Sequence, residues 1–167
     1  MAIVLVFSPI GLWAYGKATA PLREGTMTAT AFNQRTIDEF HAKEGRRVGG
    51  WGDHLLLMTS RGAKSGREIT TPLVYRRNRD QYVVVGSKAG APEHPNWYRN
   101  LQVNPNVEGE VASGAGTERF SAHARVIAAG PERDRLYDFM TEVWPAFRDY
   151  AQRTTRTIPV VVLERSV

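Results

Sequence analysis

Between residues 55 and 163 the chain repeats short apolar runs, each bounded by glycine, proline or a polar cluster. Leu55-Leu56-Leu57-Met58-Thr59 lies between Gly52-Asp53 and Gly62, a length and setting that predict a buried strand. Residues 69–75 are rich in β-branched and aromatic side chains, residues 76–80 are polar, and Tyr82-Val83-Val84-Val85 follows, which together read as a strand and hairpin. Residues 107–112, 120–127 and 160–163 supply three further strands, with Gly114 and Gly116 in the turn between the first two. Helical periodicity is confined to a few stretches. Phe32, Ile37 and Phe40 share one face, with Gln34, Arg35, Asp38, Glu39 and Lys43 off it and Gly45 as the stop. A short helix is expected to open at Pro95 and run to Gln102, ended by Asn104-Pro105. Residues 131–143 form the second long helix, with Leu136, Phe139, Met140 and Val143 on a face and Glu132 placed to complement the helix dipole. About six strands joined by short turns, without β-α-β alternation, predict a mainly β (α+β) fold: a small antiparallel barrel with a few flanking helices.

The 167 residues suit one domain. Residues 3–13 are apolar but interrupted by Ser8, Pro9 and Gly11, and are shorter than the roughly 20 residues that cross a bilayer. Residues 1–26 are therefore expected to be an extension, disordered or in peripheral contact with a membrane through Trp13 and Tyr15. Ala18-Thr19-Ala20 resembles a leader cleavage site, but no cation precedes Lys17 and Pro21 stands where cleavage would fall. Met27 is an alternative start, and the folded domain is expected over 27–167.

The chain has no cysteine, which excludes disulfides, thiolate metal sites and thiol nucleophiles. His41, His54, His94 and His123 are far apart with no carboxylate at ligand spacing, so no metal site is expected. The formal charge is +5, and arginine greatly outnumbers lysine, a bias suited to phosphate or carboxylate partners. Three cations fall in one glycine-containing loop, Arg61-Gly62-Ala63-Lys64-Ser65-Gly66-Arg67. Such a loop can aim backbone N–H groups and side-chain cations at one anion, although a solvated turn with incidental charge has the same composition. A second basic loop, Gly86-Ser87-Lys88-Ala89-Gly90-Ala91-Pro92, follows a strand and leads to Pro95-Asn96-Trp97. The two would form a cationic cradle beside a helix N-terminus if both lie at one end of the barrel. Trp97 and Tyr98, with Trp144, Phe147 and Tyr150 at i, i+3 spacing, could pack as core or sandwich a flat ring. No basic stripe runs along an element, so nucleic acid is not an expected partner. Nor is there a Gly-x-Ser-x-Gly context or a carboxylate pair for acid–base work, which makes a borrowed cofactor the economical source of chemistry.

Several of these stretches, in order, are those of a known family: Leu55-Leu56-Leu57, Gly62-Ala63-Lys64-Ser65-Gly66-Arg67, Thr70-Thr71-Pro72-Leu73-Val74-Tyr75, Ser87-Lys88-Ala89-Gly90-Ala91-Pro92, His94-Pro95-Asn96-Trp97-Tyr98, Asn104-Pro105, Trp144-Pro145, Tyr150 and Ile158-Pro159-Val160-Val161. Over residues 31–164 the chain resembles the deazaflavin-dependent nitroreductases. The resemblance implies a split β-barrel like that of the FMN-binding proteins, holding reduced coenzyme F420, whose phosphate and glutamate tail are anionic. It implies that Arg61, Lys64, Ser65, Gly66 and Arg67 hold phosphate and that Val85, Gly86, Ser87 and Lys88 form the second loop's share of the site. Pro72, Leu73, Val74 and Trp97 would flank the ring. The implied activity is a cytoplasmic or membrane-peripheral oxidoreductase that passes a hydride to a small-molecule acceptor: a quinone, an enone or an unsaturated lactone, and in some members a nitroaromatic. Trp144, Phe147 and Tyr150 would line the substrate pocket, with Tyr150 orienting the substrate or giving a proton. A homodimer is consistent with the family. Two departures stand out: Ile69 replaces an arginine that many members carry, and Trp144 and Phe147 stand where nitroimidazole-active members have tyrosines. An FMN-dependent oxidoreductase and a non-catalytic F420 carrier are the alternatives.

Overall fold

The computed structural model describes residues 29–166, apart from residue 115. The extension expected over residues 1–26 lies outside the described residues. The elements are α1 Ala29–Ala42, β1 Leu55–Arg61, β2 Glu68–Asn78, β3 Gln81–Val85, α2 Asn96–Val103, β4 Asn106–Ser113, β5 Gly116–Ile127, α3 Pro131–Val143, α4 Ala146–Gln152 and β6 Val160–Arg165. The strands close into an antiparallel barrel in the order β1-β2-β3-β6-β5-β4, as the strand pattern predicts.

The unbroken Val and Leu runs follow from the burial of both faces of these strands. Leu56, Met58, Tyr82, Val84, Val161 and Leu163 fill the barrel interior with Phe120, whose ring stacks on Tyr82 at 4.4 Å. Their alternating neighbours Val83, Val85, Val160 and Val162 pack outward beneath α3 and α4. Leu55 and Leu57 pack outward against Phe40 of α1. A strand covered on both sides gains nothing from a polar alternate position, so its sequence loses the period of two.

Two expectations need correction. The buried residues of α3 are Leu136, Tyr137, Met140 and Thr141, so the face is rotated from the predicted one. Phe139 is only half-buried and lies under the Arg76 guanidinium, 3.8 Å from its centroid. Nor do Trp144, Phe147 and Tyr150 share one helix: Trp144 ends α3, and Phe147 and Tyr150 belong to α4. The elbow between them is held by the Tyr137 hydroxyl, which donates to the Phe147 carbonyl at 2.6 Å.

The register explains where the barrel opens. β2 pairs with β1 from Glu68 to Val74, but its pairing with β3 covers only residues 75–78. The first half of β2 therefore has one edge without a strand partner, which is also where Pro72 can sit without costing a ladder bond on that side. After Val85 the chain turns away from β2 and enters the second glycine-rich loop.

Candidate active site

A cleft lies where β2 outruns β3. Pro72, Leu73, Val74, Val85, Ser87, Lys88, Trp97, Trp144, Phe147 and Tyr150, all singled out from the sequence, line it. Trp51, Ala89 and Pro95 complete the wall. Trp51 was not foreseen: it arrives on a short 3-10 turn, Gly49–Trp51, and stacks on Trp144 with ring centroids 5.9 Å apart and planes 22° from parallel. Its glycine-flanked setting gives no hint of the cleft, because the contact is made across the fold.

The second loop has an unusual backbone. Ser87 is right-handed, then Lys88 and Ala89 take positive φ of 46° and 52°, and Gly90 takes 80°. A right-handed residue followed by a left-handed one turns successive N–H groups toward a common point, a geometry that receives anions or carbonyl oxygens. The Ser87 and Lys88 N–H groups donate to no acceptor among the described residues, whereas Gly90 and Ala91 donate back to Ser87 and Lys88. Lys88 itself is not a free cation. Its Nζ lies 3.3 Å from a Glu93 carboxylate oxygen.

The first loop lies outside the cleft, so Arg61, Lys64, Ser65, Gly66 and Arg67 do not line it. Arg61 instead borders a separate polar hollow with Ser60 and Glu68. The Gly62 N–H donates to the Arg67 carbonyl and the Gly66 N–H to the Gly62 carbonyl, both at 2.8 Å, while the Arg67 N–H reaches Ser65 Oγ at 3.3 Å. The amides of Lys64 and Ser65 are the ones without a partner among the described residues, and Arg61, Lys64 and Arg67 make no ion pair among them. These cations are therefore free to meet an incoming anion.

Helix α2 joins the two regions. Trp97 in its first turn lines the cleft, and Asn100, three residues on, is buried and accepts the Ala63 N–H at 3.0 Å. At 1.5 Å per residue the two anchor points are only about 4.5 Å apart along the helix axis. The aromatic cleft and the cationic loop are thus fixed relative to each other by one rigid element, and Asn100 is a residue that sequence reasoning missed.

The ionisable groups of the cleft are tuned by burial. Burial pushes the Tyr150 phenol above its ordinary value, opposed by a hydrogen bond from Trp144 and by the nearby Arg153. The Tyr137 phenol behind it is pushed up to about 12, again chiefly by burial. Both remain protonated at neutral pH, so Tyr150 can donate a proton and is a poor base. His94 is held below its ordinary value by burial, then by Arg156 and Arg99 beside it. Its Nδ1 lies 3.2 Å from Arg156 Nη1, and because a guanidinium only donates, Nδ1 accepts and the proton sits on Nε2.

Comparison with known proteins agrees with this architecture. A family model described as F420H(2)-dependent quinone reductase matches residues 30–165. An F420H(2)-dependent quinone reductase of Mycobacterium tuberculosis is 42% identical over 123 residues, covering 72% of this chain and 79% of that protein. A solved structure titled as an F420-H2 dependent reductase has a TM-score of 0.59 at 34% identity, over 66% of this chain and 94% of its own. A second, titled a domain-swapped dimer, has a TM-score of 0.60 at 31% identity, over 81% and 97% of the two chains. The barrel and cleft are those of a coenzyme-dependent oxidoreductase. More narrowly, the chain belongs to the F420H(2)-dependent quinone reductase family, whose cofactor is coenzyme F420.

No helix among the described residues is long and apolar enough to cross a membrane. Among them, too, no group of three metal-ligating side chains is placed to hold an ion.

Proposed function

We propose that the cleft holds the deazaflavin ring of F420 against Pro72, Leu73, Val74 and Trp97, and that the cationic loop receives the coenzyme's phosphate. The observation that carries this reading is the tether of Asn100 to Ala63, which sets a flat-walled pocket and three unpaired cations at a fixed separation. The residues present fit such a group: aromatic and aliphatic walls for the ring, two unpartnered N–H groups at Ser87 and Lys88 for its polar edge, and Arg61, Lys64 and Arg67 for negative charge. When bound, reduced F420 supplies a hydride.

The acceptor is a quinone or a similarly activated, flat double bond. Trp144, Phe147 and Trp51 provide the flat walls that orient it and exclude water, so that binding energy is spent on alignment. Tyr150 stands with its proton in place at neutral pH and gives that proton to the acceptor oxygen, to be replaced from solvent. Nitroaromatic reduction is a lesser activity on this reading, because Trp144 and Phe147 carry no hydroxyl. The chain pairs as a homodimer on the same reading, in keeping with the relative titled a domain-swapped dimer.

Three tryptophans, Trp51, Trp97 and Trp144, face the cleft, so intrinsic fluorescence reports its occupancy. Titration with F420 is expected to quench this fluorescence saturably, with FMN a much weaker ligand. Tight binding of FMN with none of F420 would replace this reading by an FMN oxidoreductase.

A further inference from the structure

Arg156 lies in the segment between α4 and β6 and is half-buried. Its guanidinium makes four bonds, three to carbonyls of the second loop and one to His94 just beyond it. Nε donates to the Ala91 carbonyl at 2.9 Å, Nη2 to the Ser87 carbonyl at 2.8 Å and to the Gly86 carbonyl at 3.2 Å, and Nη1 to His94 Nδ1 at 3.2 Å. No carboxylate pairs with it among the described residues. Four of its five donors are thus spent on loop positions 86–94, in a planar fork that no other side chain reproduces.

The consequence follows from peptide geometry. No peptide bond among the described residues is cis, and in a trans peptide the C=O and the following N–H point in opposite directions. Drawing the Gly86 and Ser87 carbonyls toward Arg156 therefore turns the Ser87 and Lys88 N–H groups the other way. Both donors are unpartnered among the described residues, and both residues line the cleft. The left-handed φ of Lys88 and Ala89 costs about 1 kcal/mol or more at each, and such strain persists only where the surroundings hold it.

We propose that Arg156 is a positioning residue: it holds the strained loop 86–91 from behind, so that the Ser87 and Lys88 amides present two preset donors to a carbonyl or anionic oxygen of the bound coenzyme. This rests on the cleft being the coenzyme site. Arg156 itself need not touch the ligand, and it acts only through the loop.

The test compares wild type with Arg156→Lys and Arg156→Ala. In coenzyme-free protein, hydrogen exchange is read at the bonded amides Gly86, Gly90 and Ala91, with the β1 and β6 amides as controls. Arg156→Lys is expected to speed exchange at the three loop amides while the strand amides keep their protection. Its Kd for F420 should rise about tenfold, the scale of one charge-assisted hydrogen bond. At saturating coenzyme, kcat should stay close to wild type. Methylguanidinium added to Arg156→Ala should recover part of the affinity. Loop exchange and Kd within about twofold of wild type in Arg156→Lys would overturn the proposal, as would a loss of protection spread equally over loop and strands. Failure of the wild-type protein to bind F420 would instead count against the coenzyme reading, and the exchange comparison would still decide the role of Arg156 in shaping the loop.

Discussion

Gly90 is the point at which the second loop leans on the helix that carries Tyr150. A Cβ added there would lie 2.7 Å from the Tyr150 carbonyl oxygen and 2.8 Å from Arg153 Cβ, and the backbone has φ of 80°. Gly66 in the first loop provides a matched control, with φ of 66° but nothing within 4 Å of the added methyl. Both Gly→Ala substitutions carry the left-handed penalty, about 1 kcal/mol or more, and both reduce unfolded-chain entropy by a similar amount. Those shared contributions cancel in the comparison. What remains for Gly90→Ala is the collision with α4 backbone, typically about 1–3 kcal/mol for overpacking at a site that cannot yield. For a domain of this size that corresponds to a Tm roughly 3–9 °C lower than that of Gly66→Ala. Thermal unfolding by circular dichroism reads the difference, and coenzyme titration reads its functional side, since α4 carries Phe147 and Tyr150 into the cleft. Equal Tm values for the two variants would refute the packing argument.

Lys64→Ala removes an exposed side chain with no partner among the described residues, so stability should change by less than about 0.5 kcal/mol. Its Kd for F420 should nevertheless rise about tenfold; an unchanged Kd in titration would remove the phosphate role from this loop. Tyr150→Phe should lower kcat while leaving coenzyme affinity near wild type, and equal turnover would reduce Tyr150 to a packing residue. His94 has a folded-state pKa below its ordinary value, so the unfolded chain takes up its proton first as pH falls. Its contribution is complete above about pH 6.5 and is lost as pH drops through the lower folded value. His94→Gln should flatten the pH dependence of the Tm over that acid window, and a Tm profile identical to wild type would count against the burial of His94 beside Arg156.

Much of the barrel was legible because its strands are punctuated by turn residues that have few alternatives. The hairpin, whose turn narrows to Arg79-Asp80 because residues 76–78 extend β2, and the stop at Asn104-Pro105 are local signals, and local signals survive folding. The face of α3 differs from the expected one because Tyr137 turns inward to donate to the Phe147 carbonyl of α4, with Thr141 buried one turn on, while Phe139 is covered by Arg76 of β2. Periodicity cannot register a partner that distant. The cleft residues of β2 were visible only through the family resemblance, whereas the second loop and the residues of α4 stand out as a glycine-rich basic run and as spaced aromatics. Trp51, Asn100 and Arg156 were not visible, since each acts through one long-range contact: a stacked ring, an amide bond to Ala63, and a guanidinium inside a loop. The separation of the first loop from the cleft was likewise invisible, because it depends on how far β2 runs past β3.

Oxidation of reduced F420 by a quinone, followed with and without the purified protein, decides whether this chain is a reductase. Turnover is expected to depend on the protein and to saturate in both coenzyme and quinone. Tight F420 binding with no turnover across quinones and enones would contradict it and leave a coenzyme carrier in place of a reductase.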